Sequence, residues 1–234
     1  MRLILFGLVM CSLAVSGQRL IPKAGITFSF NSIYRSEDEK ALAKTGATVG
    51  FGMEFPLVDN LLFVPELSII QKGFNHAFQG GRSYYYYYRQ TKLRLEYLEL
   101  ATLVKGRHTW KKSTIFYGVG PSIGFCVFGK LSMYDVDGDN ARSDSYHISI
   151  PPYKDNFYDG ANLSYIDRPV DIAVQSLIGI ELFEKIQFEI RFGQSLTKLY
   201  TEYRREEVSG YERARNRVWQ FSIAAPFPRK AKKA

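Results

Sequence analysis

The stretch Asp171–Gly193, DIAVQSLIGIELFEKIQFEIRFG, decides the fold. It contains two runs of alternation around a short break. Ile172, Val174, Ile178 and Ile180 alternate with Ala173, Gln175, Gly179 and Glu181. After Glu184–Lys185, Ile186, Phe188, Ile190 and Phe192 alternate with Gln187, Glu189, Arg191 and Gly193. A period of two over this length is the signature of β-strands with one apolar and one polar face. The polar face is unusual because it combines glycines with Glu181, Glu189 and Arg191.

The same pattern recurs along the chain. Eight segments read as strands, at 24–33, 46–55, 61–72, 92–105, 113–127, 171–183, 186–199 and 216–227. The gaps between them alternate in length. Pro56–Asn60, Gly106–Lys112 and Glu184–Lys185 are short; Tyr34–Thr45, Gly73–Thr91, Phe128–Val170 and Tyr200–Arg215 are long. Strands that run up and down a layer place every second connection on the same side. Tight turns on one side and large loops on the other is the asymmetry of an outer-membrane barrel. The fold class predicted is all-β, an eight-stranded antiparallel up-and-down transmembrane β-barrel over residues 18–228, with both termini in the periplasm and the long loops outside.

The start of the chain supports export. MRLILFGLVMCSLAVSGQ has Arg2, an apolar run Leu3–Val15 and a small-residue site at Val15-Ser16-Gly17, which reads as a cleavable signal peptide over 1–17. The run is shorter than the ~20 apolar residues of a spanning helix. Met10 before Cys11, and the apolar residues after it, argue against a lipoprotein. Without Cys11, Cys126 has no partner for an intramolecular disulfide, so closure must come from hydrogen bonding and packing. The formal charge of +8 falls to +7 without Arg2, and Arg229, Lys230, Lys232 and Lys233 place four of those charges in a basic tail, 229–234. The remaining positive charge is dispersed and the chain is exported, which excludes nucleic acid as the partner. Outer-membrane lipid and lipopolysaccharide are the expected partners, with an extracellular protein or surface reached through the loops.

Periodicity alone does not say which face is inside. A soluble lipocalin has the same strand number with the apolar face inward. The polar face here carries Glu54, Glu66, Glu99, Lys105, Glu181, Glu189 and Arg191 among glycines. A narrow eight-stranded interior suits small residues and mutually paired charges. Phe55, Phe63, Phe74, Phe128, Tyr200 and Phe227 lie near strand ends, where membrane interfaces favour aromatics. The apolar face is therefore expected to meet lipid. Leu93, Leu95 and Tyr97 have the opposite parity to Leu98 and Leu100, which predicts a bulge near Tyr97 or an irregular strand entrance. Pro65 and Pro121 fall inside strands on the lipid face, where a missing N–H normally costs a ladder bond.

The stretches KAGITFSF, VGFGMEFPLVDNLLFVPELSIIQKGF, YLELATLVKG, YGVGPSIGF and RVWQFSIAAPF together resemble the small porin-like outer-membrane β-barrel domain family of Gram-negative bacteria. The likeness spans almost the whole mature chain and extends to OmpA- and OmpX-type barrels. The family includes PorT-type components of type IX secretion. The resemblance implies the barrel fold and an outer-membrane location, and it implies no particular activity.

Candidate sites lie in the loops and in the interior. Asp135, Asp137 and Asp139 flank Gly138 in the longest loop, and closely spaced carboxylates can wrap Ca²⁺. The run lacks the EF-hand order and its closing Glu, and a polar turn is the alternative. Tyr84–Tyr88, between Arg82 and Arg89, reads either as a partner-binding surface or as an upward extension of strands three and four. His147 near Ser143, Asp144, Ser145 and Asp155 raises the alternative of a lipid A-modifying enzyme, but no nucleophile motif accompanies it and no catalytic residue is assigned. Inside, Glu54, Glu66, Glu99, Lys105, Glu181, Glu189 and Arg191, with Lys72 on the same face, would form a salt-bridged plug or line a narrow solute pore. The function expected is non-enzymatic, a structural or surface-interaction barrel.

Overall fold

The computed structural model describes residues 19–31, 39–82, 85–137, 140–148, 165–166, 169–197, 199–202, 204–205, 208–209 and 212–227. The signal peptide expected over 1–17 and the tail 229–234 lie outside the described residues. Eight strands form the barrel. They are β1 (Arg19–Asn31), β2 (Lys44–Val58), β3 (Leu61–Arg82), β4 (Tyr85–Trp110), β5 (Ser113–Asp137), β6 (Val170–Leu182), β7 (Ile186–Ser195) and β8 (Asn216–Ala224). Each pairs antiparallel with its neighbours in sequence, and β1 pairs with β8, so the sheet closes on itself.

Parity dictates the two faces. Along β6 and β7 every second side chain is buried and the intervening apolar ones are exposed. Ile178, Ile180, Phe188 and Ile190 face outward, while Gln175, Glu181, Glu189 and Arg191 face the lumen. The inside-out distribution expected from the polar face holds in every barrel strand, with local exceptions: Met53, Gly73 and Gly106 are buried on the outward parity, and Pro56 and Val58 are exposed on the inward one at the turn end.

Two of the three tight turns are shorter than the sequence suggested, each of two residues. The expected gap Gly106–Lys112 is a two-residue turn, because β4 runs on to Trp110. The next turn centres on Phe183 and Glu184, with φ of 53° and 58°, and Lys185 N–H donates to Leu182 C=O at 3.0 Å. Positive φ at both central residues is the type I′ geometry that matches strand twist. A side chain there costs about 1–2 kcal/mol per residue.

The loop end departs further from expectation. β3, β4 and β5 do not stop at 72, 92 and 127 but continue to Arg82, back to Tyr85 and on to Asp137. Up to Phe125, β5 pairs with β6; from Gly129 it pairs instead with a returning strand, Asn140–Ile148. Glu39–Leu42 adds to the other edge, on Asn75–Phe78 of β3. Three barrel strands and two added ones thus make a sheet that leaves the barrel on one side. A small three-stranded sheet (Tyr165–Ile166, Leu199–Glu202, Glu212–Ala214) and a short pair (Arg204–Arg205, Val208–Ser209) complete the described loop elements.

The predicted bulge exists, but on the partner strand. Tyr97 pairs with Cys126 and Glu96 with Phe128, so Val127 of β5 is the extra residue. β4 keeps one parity throughout, and Leu93, Leu95 and Tyr97 point inward with Glu99. The parity break in the sequence marks a change of lumen chemistry from polar to apolar, not a flip of the strand.

The two in-strand prolines share a neighbourhood. Pro65 lies opposite Thr102 on β4, while the β2–β3 pairing skips Met53 and Glu54 on its other side. Pro121 lies opposite Val174 on β6, while the β4–β5 pairing skips Thr102 and Leu103. Each proline thus faces a gap in the ladder on one side, where its missing N–H breaks no bond.

Candidate functional site

Among the described residues, charged side chains concentrate in the interior. Among the described residues Arg19, Lys23, Lys72, Lys105 and Arg191 are buried there with Glu54, Glu66, Glu99, Asp171, Glu181 and Glu189. Five cations face six carboxylates. Isolated charges could not survive such burial, and they must be paired and hydrogen-bonded.

Pairing runs along the barrel axis in three steps. Near the turn end Arg19 Nη1 donates to both oxygens of Glu181 at 2.8 Å, and Nη2 to the Glu184 carbonyl at 2.6 Å. Glu54 is 4.0 Å from the same guanidinium, and Gln187 Nε2 donates to Glu181 at 2.6 Å. In the middle Arg191 Nη2 reaches Glu66 and Glu189, each at 2.6 Å. Lys23 also donates to Glu66 and lies 3.8 Å from Glu189, while Lys105 sits 3.5 Å from Glu66 and 3.4 Å from Glu189. Arg191 Nη1 then donates to Gln175 Oε1 at 2.8 Å, and Gln175 Nε2 donates to Glu99 at 2.6 Å. Toward the loop end Lys72 bridges Glu99 at 2.5 Å and Asp171 at 3.0 Å, and Asp171 accepts from Ser195 and Thr197.

Glycine makes room for these long side chains. A Cβ on Gly118 would meet the stem of Lys105 at 2.9 Å, and one on Gly179 would meet the Phe116 ring at 2.3 Å. Leu62, Val64, Leu103, Phe116 and Leu177 pack into an apolar cluster inside the same lumen. Near the loop end Leu93, Leu95 and Tyr97 are fully buried, with Ile70, Phe74 and Cys126 also inside. A void between Lys72, Glu99, Asp171, Arg191 and Asn216 measures ≈ 10 Å³, about what a single water needs. Asn216 lines it with both side-chain polar atoms unpartnered.

Sequence reasoning named Glu54, Glu66, Lys72, Glu99, Lys105, Glu181, Glu189 and Arg191, and all lie on the inner face, linked as described above. It missed Arg19, Lys23 and Asp171. Arg19 and Lys23 precede the expected start of the first strand, although β1 begins at Arg19. Asp171 lies on the inward parity of the sixth segment, and that parity was the signal available for it.

The loop candidates fare differently. Asp135 and Asp137 fall on β5, opposite Arg142 and Asn140. Asp139 and the side chain of Asp137 lie outside the described residues, and among the described residues no cluster fit for a metal ion occurs. Tyr85–Tyr88 lie on β4, paired with Gln79–Arg82; Tyr84 lies outside the described residues. The run therefore continues β4 past the barrel. Ser143 and Ser145 are exposed on the returning strand. Asp155 and the side chains of Asp144 and His147 lie outside the described residues.

A closed antiparallel sheet with an apolar exterior and an ion-paired interior is a membrane-spanning barrel, because closure leaves no unpaired edge in lipid. Residues 17–201 match the outer membrane protein beta-barrel domain. The chain belongs to that family, and the barrel is an outer-membrane one. No curated protein matches the chain in sequence. Solved structures similar to it include Neisserial surface protein A, at 10% identity and a TM-score of 0.43, covering 91% of this chain and 100% of that one. OprG from Pseudomonas aeruginosa is 12% identical with a TM-score of 0.45, over 91% and 96%. Ail, the attachment invasion locus protein of Yersinia pestis, is 9% identical with a TM-score of 0.35, over 91% and 100%.

Proposed function

We propose that the protein is a non-enzymatic outer-membrane barrel that carries a β-sheet extension into the extracellular space for surface interaction. The supporting observation is the division of labour between a filled lumen and a sheet that runs past it. The lumen is occupied by paired charges and apolar packing, with a void of only ≈ 10 Å³ among Lys72, Asp171 and Asn216. Eight strands leave just enough space for side chains to fill, so solute passage is not its task. The sheet of β3, β4, β5, Asn140–Ile148 and Glu39–Leu42 leaves the barrel at the end opposite the tight turns. Outer-membrane barrels keep short turns in the periplasm and long loops outside. Tyrosines gather on that sheet, with Tyr88 and Tyr134 rings 6.4 Å apart, and tyrosine combines contact area with a polar tip.

Two linked measurements test this reading. A protease-cleavable tag beside Asn140 should be cut in intact cells, and one after Ala234 should not. Replacing residues 76–90 and 131–146 by tight turns should leave a folded, heat-modifiable barrel and abolish any adhesion to proteins or surfaces that the intact chain confers on cells. Cleavage in the opposite pattern, or adhesion unchanged by the trimming, would contradict it.

A further inference from the structure

We propose that the outer face of β4 and β5, just beyond the apolar belt, binds the phosphate groups of the glycolipid of the outer leaflet through Lys92, Arg94 and Lys130. Along β4 the outward positions from the turn end are Val104, Thr102, Leu100, Leu98, Glu96, Arg94 and Lys92. Along β5 they are Val119, Pro121, Ile123, Phe125, Phe128, Lys130 and Ser132. Both strands change from apolar to basic at one level, set by the pairing of Glu96 with Phe128 and of Arg94 with Lys130. The change comes at the bulge of Val127, where β5 leaves β6.

The three cations form one patch. Arg94 and Lys130 are direct cross-strand partners, so their Cα atoms are about 4.5–5.5 Å apart. Lys92 lies two residues from Arg94 on the same face, about 7 Å along the strand. Lys44 at the start of β2 lies within electrostatic reach of both Arg94 and Lys92. The one carboxylate among them, Glu96, accepts from Arg94 Nη2 at 2.6 Å and from Gln71 Nε2 at 3.3 Å. It holds the guanidinium in place and leaves the patch with a surplus of positive charge. Like charges directly opposite on a sheet destabilise it unless an anion joins them. Their position fits an anion at headgroup depth: one residue pair below is Phe128, and below that Leu98 and Phe125 are on the lipid-facing surface. A phosphate carried on a lipid meets both requirements, whereas a free anion gains nothing from the apolar belt.

The inference deepens the proposed placement of the loop end outside and rests on it for the choice of leaflet. The test does not depend on topology, because it uses the purified full-length mature protein in detergent micelles, where both ends are accessible. Native mass spectrometry would count bound diphosphoryl lipid A and monophosphoryl lipid A. The unmodified protein should retain the diphosphoryl form preferentially. Lys92→Gln, Arg94→Gln and Lys130→Gln together should weaken that retention roughly tenfold or more, since each surface cation contributes to holding an anionic headgroup. Lys111→Gln with Lys112→Gln, at the turn end, should leave it unchanged. A heat-modifiability gel checks folding, and Lys130→Gln alone, with a partial loss, serves if the triple variant does not fold. Undiminished retention by the variants, equal retention of both lipids, or displacement of lipid A by millimolar inorganic phosphate would overturn the proposal. A failed tag-cleavage experiment, with lipid retention intact, would instead overturn only the topology.

Discussion

At the level of Glu66, Glu189 and Arg191 the barrel is filled with charge; at Leu93, Leu95 and Tyr97, nearer the loops, it is filled with apolar side chains. Lys72 joins the two regions, bonded to Glu99 and Asp171 and lying 5.0 Å from the centre of the Tyr97 ring. Both regions exclude water, by different physics. In the apolar one every contact is non-directional, so shape can change a little at small cost. In the ionic one each group depends on named partners, and a single removal leaves the others charged and buried. The comparison teaches that a lumen can be sealed uniformly and still be very unevenly sensitive to mutation.

The largest effect should come from the ionic region. Arg191→Met keeps much of the volume but strands Glu66 and Glu189, and should cost about 3–5 kcal/mol, measured by reversible urea unfolding from lipid vesicles. The outside of the same strand gives the next effect. Phe188→Arg places a charge on the lipid face one residue from Gln187 and Glu189, and should cost about 2–4 kcal/mol if it meets the bilayer midplane. If Arg191→Met were tolerated while Phe188→Arg kept its full cost, inside and outside would be exchanged. Leu95→Met, the apolar counterpart of the first change, should cost less than about 1.5 kcal/mol, because volume-conserving swaps repack. Tyr97→Phe should be nearly silent, within about 1 kcal/mol, because the buried hydroxyl makes no hydrogen bond of regular geometry. A large loss from Leu95→Met would erase the distinction between the regions.

The same distinction explains what could be read from the chain. Strand number, order and facing were legible because alternation is local: Ile186 to Phe192 carry their own parity with no need of neighbours. The charged lumen was legible where Glu or Arg interrupts such a run. It was missed at Arg19 and Lys23, which lie outside the strongest alternation, and the apolar upper lumen was misread. Leu93, Leu95 and Tyr97 share a parity with Glu99, and a reading that equates inside with polar must place a break between them. Only the cover that β3 provides, where Phe74 pairs with Leu93 and Ile70 with Tyr97 from a separate stretch of the chain, reconciles them. Strand ends at the loop side were illegible for a related reason. Past the membrane both faces of β3, β4 and β5 can be polar, so pairing continues after the amphipathic pattern has ended, and beyond the bulge at Val127 β5 exchanges β6 for the strand that follows it, Asn140–Ile148, a change of partner that alternation does not record.

The central claim is that the lumen is sealed by its own side chains. Purified protein incorporated into a planar lipid bilayer tests it most directly. The unmodified protein should carry no steady ion current, because the ionic and apolar regions leave no continuous column of water. A stable open conductance, selective for cations as the six lumen carboxylates against five basic groups would make it, would contradict the claim and make the barrel a pore.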